Sequence, residues 1–131
     1  MPSHSKLANK KKILIIEDDD FLSGVYITKF STEGFDVAFA KDGEEGLEKA
    51  QSELPDLILL DILLPKMNGF VLLKKLKEKK KTNFIPVLIL SNLSQEQDIN
   101  KGLKLGAVDF LVKSYNIPSE VVEKVKLYLK R

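Results

Sequence analysis

Five side chains stand where apolar runs end: Glu17 and Asp18, Asp61, Ser91 and Lys113. The runs are Ile13-Leu-Ile-Ile16, Leu57-Ile-Leu-Leu60, Val87-Leu-Ile-Leu90 and Phe110-Leu-Val112. Burying a lone charge is costly, so apolar runs have no packing reason to end this way. A strand end that meets water tolerates charge, so each residue alone has a bland reading. Four runs delivering three acids, a hydroxyl and an ammonium to one edge do not. Three clustered carboxylates repel one another, and a hard divalent cation with oxygen ligands, Mg2+, relieves that repulsion. A carboxylate so placed can approach an anionic phosphoryl group and attack it, giving an acyl phosphate. Phosphoryl transfer asks for positioning and charge neutralisation more than for covalent help. Lys113 can neutralise one phosphoryl oxygen, and Ser91 can donate a hydrogen bond to another.

The elements that must position these groups read as an alternation. Lys12–Glu17 predicts a strand buried on both faces, as in parallel sheets. Asp18-Asp-Asp20 opens a helix to about Glu33, with Leu22, Val25, Tyr26 and Phe30 on one stripe and Gly34 as its stop. Gly24 within it lowers helix stability without an evident reason. A short strand is expected over 35–40, then a helix over 43–53 with Leu47 and Ala50 inward. A buried strand follows over 56–61, a loop over 62–68, and a helix from Gly69 that buries Phe70, Leu72, Leu73 and Leu76 and ends in Lys79–Lys81. Residues 86–91 read as a third buried strand. Ser94-Gln-Glu-Gln97 has the capping-box pattern of a helix start, and Gly106 ends that helix. Ala107–Lys113 reads as the last strand. Pro118 opens a final helix with Val121, Val122, Val125 and Leu129 on its stripe. Five strands alternating with five helices predict an α/β fold, a (βα)5 sandwich around a parallel sheet. Open parallel sheets bind ligands beyond the carboxyl ends of their strands, where all five groups lie.

At 131 residues, 44% apolar and 31% charged, the chain reads as one globular domain. It has no cysteine, which excludes disulfides and thiolate chemistry, and its one histidine, His4, removes Ser-His-Asp catalysis and multi-histidine zinc sites. No apolar run approaches the ~20 residues of a membrane span. Lys10–Lys12 precede only four apolar residues, so a secretory signal is not expected. Four lysines and no acid fall in residues 1–12, leaving 17 basic against 19 acidic residues in the remainder. That near-neutral body is weak support for nucleic-acid binding. Residues 1–11 are read as a disordered basic leader or an expression remnant, and 12–131 as the domain. Lys74, Lys75, Lys77, Lys79, Lys80 and Lys81 are read as a solvated helix face.

The segments Ile13-Leu-Ile-Ile-Glu17-Asp18-Asp19, Asp56-Leu-Ile-Leu-Leu-Asp61, Pro65-Lys-Met-Asn-Gly69, Val87-Leu-Ile-Leu-Ser91 and Gly106-Ala-Val-Asp-Phe110-Leu-Val-Lys113 together resemble the receiver domain of two-component response regulators. The spacings match too: 43 residues from Asp18 to Asp61, 30 from Asp61 to Ser91 and 52 from Asp61 to Lys113. The resemblance implies a doubly wound five-stranded parallel sheet with the flavodoxin-like order 2-1-3-4-5 in a three-layer sandwich. It implies Asp61 as phosphoacceptor, and Glu17, Asp18, Asp61 and the Leu63 backbone carbonyl as the Mg2+ ligands. Lys113 would be the family's lysine, Ser91 its hydroxyl switch, and Phe110 the aromatic switch whose ring turns inward on activation. For Phe110 a plain core role remains open.

The same resemblance implies a cytoplasmic switch phosphorylated by a sensor histidine kinase or histidine phosphotransfer protein that docks near Phe21 and Leu22. A downstream protein effector would read the face of the fourth helix, fifth strand and last helix, without nucleic acid or membrane. The chain would be a monomer or a weak homodimer through that face. It would not be an enzyme in its own right. With the last helix running to Arg131, either a stand-alone receiver or a piece of a longer regulator is expected. Three departures stand out. Ser114 follows Lys113 where the family usually has proline, often cis. A non-proline cis bond costs ~2.5–4 kcal/mol, so either that strain is kept or the loop takes another path. Asn92 replaces a small residue after Ser91. Leu63 and Leu93 fill two positions that influence phosphoryl hydrolysis, and neither can hold an attacking water.

Three other readings compete. An aspartate-nucleophile phosphohydrolase needs a second acid two residues after the nucleophile, where Leu63 stands. A flavodoxin-like cofactor binder needs a phosphate cradle where Glu17–Asp20 would repel phosphate. A degenerate receiver used only for protein contacts is argued against by the intact set of five.

Overall fold

In the computed structural model, which describes residues 10–130, the strands are β1 (Lys12–Ile16), β2 (Asp36–Ala40), β3 (Leu57–Leu60), β4 (Val87–Ser91) and β5 (Asp109–Val112). The helices are α1 (Asp20–Thr32), α2 (Gly43–Glu53), α3 (Gly69–Glu78), α4 (Glu96–Lys104) and α5 (Pro118–Leu129). All neighbouring strands pair in parallel, in the order β2-β1-β3-β4-β5. The expected fold class and strand order are therefore those observed. Residues 1–9 of the basic leader lie outside the described residues, and Lys10 and Lys11 are exposed ahead of β1.

Side chains alternate across a strand, and here both faces are covered. Leu14, Ile16, Ile58, Leu60, Ile89 and Phe110 point into one core with Ala50 of α2 and Phe70, Leu72, Leu73 and Leu76 of α3. Ile13, Ile15, Leu57, Leu59, Leu88 and Leu111 point into the other with Tyr26 and Phe30 of α1 and Val121, Val122 and Val125 of α5. Two-sided burial is why these runs are continuous rather than alternating. Each fully buried aliphatic side chain contributes about 1.5–3 kcal/mol, which anchors the strand ends that carry the polar groups.

Helix ends follow the sequence in most places. Asp19 caps α1, accepting from the Leu22 N–H at 3.0 Å. Gly34 and Gly106 take the positive φ of 94° and 113° that a helix stop requires. At the first stop the Phe35 N–H donates to the Phe30 carbonyl at 3.0 Å, and the two rings meet edge to face at 5.5 Å. The Ser94 capping box does not form. The N-cap of α4 is Gln95, and no side chain caps it. Half of such a box forms at the start of α5 instead, where the Ile117 N–H donates to Glu120 Oε1 at 2.8 Å and isoleucine has no side-chain acceptor to complete it. α3 stops at Glu78, before the expected Lys79–Lys81. Lys77 leaves the solvated face: half-buried, it donates to the carbonyls of Asn83 and Ile85 at 3.1 and 2.7 Å. β5 ends at Val112, and Lys113–Tyr115 form a 3-10 turn.

Candidate functional site

Parallel register carries the polar groups to one edge. Ile16 pairs with Leu60, so Glu17 and Asp61 follow side by side, and the Asp61 N–H donates to the Ile16 carbonyl at 3.1 Å. Ser91 pairs with Val112, so Lys113 comes one residue later at the same edge. Glu17, Asp61 and Ser91 are buried, and Asp18 is exposed. Carboxylate oxygens of Glu17, Asp18 and Asp61 lie within 4.8 Å of one another.

The Lys113 ammonium bridges two of these acids. Its Nζ is 2.5 Å from Glu17 Oε1 and 2.9 Å from Asp61 Oδ2. Asp61 Oδ1 accepts from the Ile62 N–H at 2.7 Å and the Leu63 N–H at 3.4 Å. Glu17 Oε2 accepts from the Asp19 N–H at 3.0 Å. Both oxygens of each carboxylate are therefore held. Burial pushes the Glu17 carboxyl up, the Lys113 and Asp19 hydrogen bonds oppose it, and the Asp61 charge adds to it. Burial also works against the Lys113 ammonium, but its bonds to Glu17 and Asp61 outweigh this and hold its pKa above the ordinary lysine value.

That direction for Glu17 gives a testable slope. The folded state holds the Glu17 proton more tightly than the unfolded chain does. Stability from this group is gained as pH falls from neutral toward the ordinary glutamate range, and is lost as pH rises through the raised value. Urea unfolding of metal-free protein should show that gain, and Glu17→Gln should remove it.

The remaining expected residues fall as follows. Ser91 is fully buried, and its Oγ accepts from the Leu93 N–H at 3.4 Å. Strand alternation sets it on the same face as Ile89 and Phe110. The Phe110 ring is turned in, 7% exposed. Leu63 is 56% exposed, and its N–H lies 3.4 Å from Asp61 Oδ1. Among the described residues no peptide bond is cis. The Lys113–Ser114 peptide is therefore trans, and the chain takes the other path, the 3-10 turn. Lys113 still reaches both acids.

Gly69 has a steric role that sequence reasoning missed, having read it as a helix start and as the end of the matching segment 65–69. A Cβ there would sit 2.4 Å from the Asp61 carbonyl oxygen and 2.6 Å from Ile62 Cα. Those are backbone atoms and cannot swing away. The Gly69 N–H also donates to the Ile62 carbonyl at 2.8 Å, fastening α3 beneath the Asp61 loop. The Asn-Gly pair at 68–69 was the available signal. Gly69→Ala is expected to cost about 3 kcal/mol, read as a lowered urea midpoint.

Residues 13–126 match the family model of the response regulator receiver domain, and the chain belongs to that family. It is 40% identical over 121 residues to the alkaline phosphatase synthesis transcriptional regulatory protein PhoP of Bacillus subtilis, covering 92% of this chain and 49% of that protein. It is 43% identical over 120 residues to the transcriptional regulatory protein CiaR of Streptococcus pneumoniae, covering 92% of this chain and 52% of that one. The chain thus spans about half the length of the curated relatives it matches. Among solved structures, the receiver domain of the Francisella response regulator 1452 superposes with a TM-score of 0.86 at 33% identity, over 93% of this chain and 98% of that one. The BeF3-activated receiver domain of Klebsiella pneumoniae RstA superposes with a TM-score of 0.84 at 27% identity, over 92% of this chain and 100% of that one. No helix among the described residues is long and apolar enough to cross a membrane.

Proposed function

We propose that this chain is a phosphorylation-dependent switch in which Asp61 takes a phosphoryl group from a sensor histidine kinase or a histidine phosphotransfer protein. The observation that carries this reading is the ammonium of Lys113 set against Glu17 and Asp61, with the exposed Asp18 completing a triad of carboxylates. An all-oxygen donor set of this kind fits Mg2+, held by Glu17, Asp18, Asp61 and the Leu63 carbonyl. When bound, the ion neutralises charge on the acids and on the incoming phosphoryl group. Backbone N–H groups of Ile62 and Leu63 orient the Asp61 carboxylate before any donor arrives. In the transfer a carboxylate oxygen forms the new bond to phosphorus as the P–N bond of phosphohistidine breaks, and the imidazole leaves. Lys113 neutralises one phosphoryl oxygen, and Ser91 donates to another.

Phosphorylation adds charge and strong acceptor oxygens. That biases Ser91 and Phe110 and alters the α4-β5-α5 face that a downstream protein effector reads. The role is regulatory rather than catalytic, and the near-neutral body supports no direct contact with nucleic acid or membrane. The same face would serve a weak homodimer. The donor docks beside α1, where Phe21 is 78% exposed and Leu22 half-buried. A cytoplasmic location goes with such donors. A phosphohydrolase is disfavoured because Leu63 stands where its second acid would be.

Intact mass after incubation with a small phosphodonor and Mg2+ tests the reading. Wild type should gain one phosphoryl group and Asp61→Ala none; equal gain in both would reject it. The phosphoryl group should also be long-lived, because neither Leu63 nor Leu93 can hold an attacking water. Leu63→Asn is expected to speed its loss about tenfold, or about 1.4 kcal/mol of barrier. Decay of wild-type phosphoprotein within seconds at neutral pH would contradict this.

A further inference from the structure

Of the nine residues of α4, only Gly102 is buried. Glycine is a poor helix former, so its place at the one buried position of this helix, beside the half-buried Ile99 that packs on the same core, calls for a steric reason. A Cβ there would lie 2.6 Å from Ile89 Cδ1 and 3.1 Å from Phe110 Cδ2. The inward ring of Phe110 thus lies directly against the bare backbone of α4. The Gly102 carbonyl accepts from the Ala107 N–H at 3.1 Å, which ties the helix end to the chain entering β5. One residue earlier, the Lys101 ammonium lies 4.6 Å from the centroid of the Phe70 ring on α3.

We infer that Gly102 is the positioning residue of the aromatic switch: its missing side chain forms the notch that lets the Phe110 ring sit inward beneath α4. The inference rests on Phe110 being the switch under the proposed function. A Cβ at 102 would meet Ile89 Cδ1 at 2.6 Å and the ring at 3.1 Å, shifting the ring from its inward seat by a few tenths of an ångström and biasing the equilibrium away from the phosphorylated form. The distances also allow a rival role, in which the glycine merely seats α4 on Ile89 of β4.

Beryllofluoride binding in the presence of Mg2+ separates the two. Gly102→Ala should weaken beryllofluoride affinity about tenfold, within the usual range of coupling between linked sites. In a Phe110→Ala background the same substitution should change affinity less than twofold, because the ring it displaces is gone. In an Ile89→Val background, which removes only Cδ1, the tenfold loss should persist. Unchanged affinity in folded Gly102→Ala would overturn the inference, as would an equal loss without the Phe110 ring or relief by Ile89→Val. Should Gly102→Ala fail to fold, the double variant with Phe110→Ala carries the test. Restored folding supports the notch, and continued unfolding overturns it. Wild type that binds no beryllofluoride would instead reject the proposed function itself.

Discussion

Replacing Lys113 with alanine is expected to destabilise the metal-free protein by about 3–5 kcal/mol, the usual consequence of removing one partner from a buried ion pair. The side chains involved are nearly dry: Lys113 is 11% exposed, Glu17 5% and Asp61 7%. Without the ammonium, two buried carboxylates face each other with only backbone N–H groups to hold them. The loss should appear as a lower urea midpoint with an unchanged slope. It should shrink when Mg2+ is added, because the cation replaces the missing positive charge. A loss below about 1 kcal/mol, the range of exposed pairs, would mean that Lys113 spends most of its time turned to solvent.

Mg2+ should stabilise wild type by about 2.7 kcal/mol when present at a hundred times its dissociation constant, since it binds the folded cluster and not the unfolded chain. Asp18→Asn should weaken this sharply, because Asp18 is the one exposed acid of the triad and is not hydrogen-bonded to Lys113. The pH slope assigned to Glu17 should flatten in the same titration, since a bound cation favours the carboxylate over the acid. Thermal unfolding across a Mg2+ series, with chelator as the reference, checks both. Equal stabilisation of wild type and Asp18→Asn would mean that the ion binds elsewhere.

Much of the architecture was legible because parallel strands covered on both faces write themselves as unbroken aliphatic runs. Ile13–Ile16, Leu57–Leu60 and Val87–Leu90 could hardly be read otherwise. The polar residue closing each run then marked the carboxyl edge, so the acids, Ser91 and Lys113 were placed before any distance was known. Helix ends were less legible where capping is a matter of one residue's register. Ser94 has the right neighbours for a cap, yet α4 begins two residues later at Glu96. Lys77 sits in a run of lysines, and nothing local shows that the turn after α3 folds back to offer it carbonyls. Gly69 and Gly102 are steric requirements set by atoms distant in sequence or on other elements, Ile62 for one and Ile89 and Phe110 for the other. Periodicity carries no trace of them, and the Asn-Gly pair at 68–69 was the one local signal. The path after Lys113 was left open between two alternatives, and the 3-10 turn shows that a serine there can still leave the ammonium on both acids.

The most direct test of the central claim is to locate the phosphoryl group. After reaction with a small phosphodonor and Mg2+, borohydride reduces an aspartyl phosphate to homoserine, and peptide sequencing by mass spectrometry finds the position. Homoserine at position 61, absent without phosphodonor, is the expected result. Reduction at Asp18 or another acid, or a phosphoryl group that resists borohydride, would contradict it.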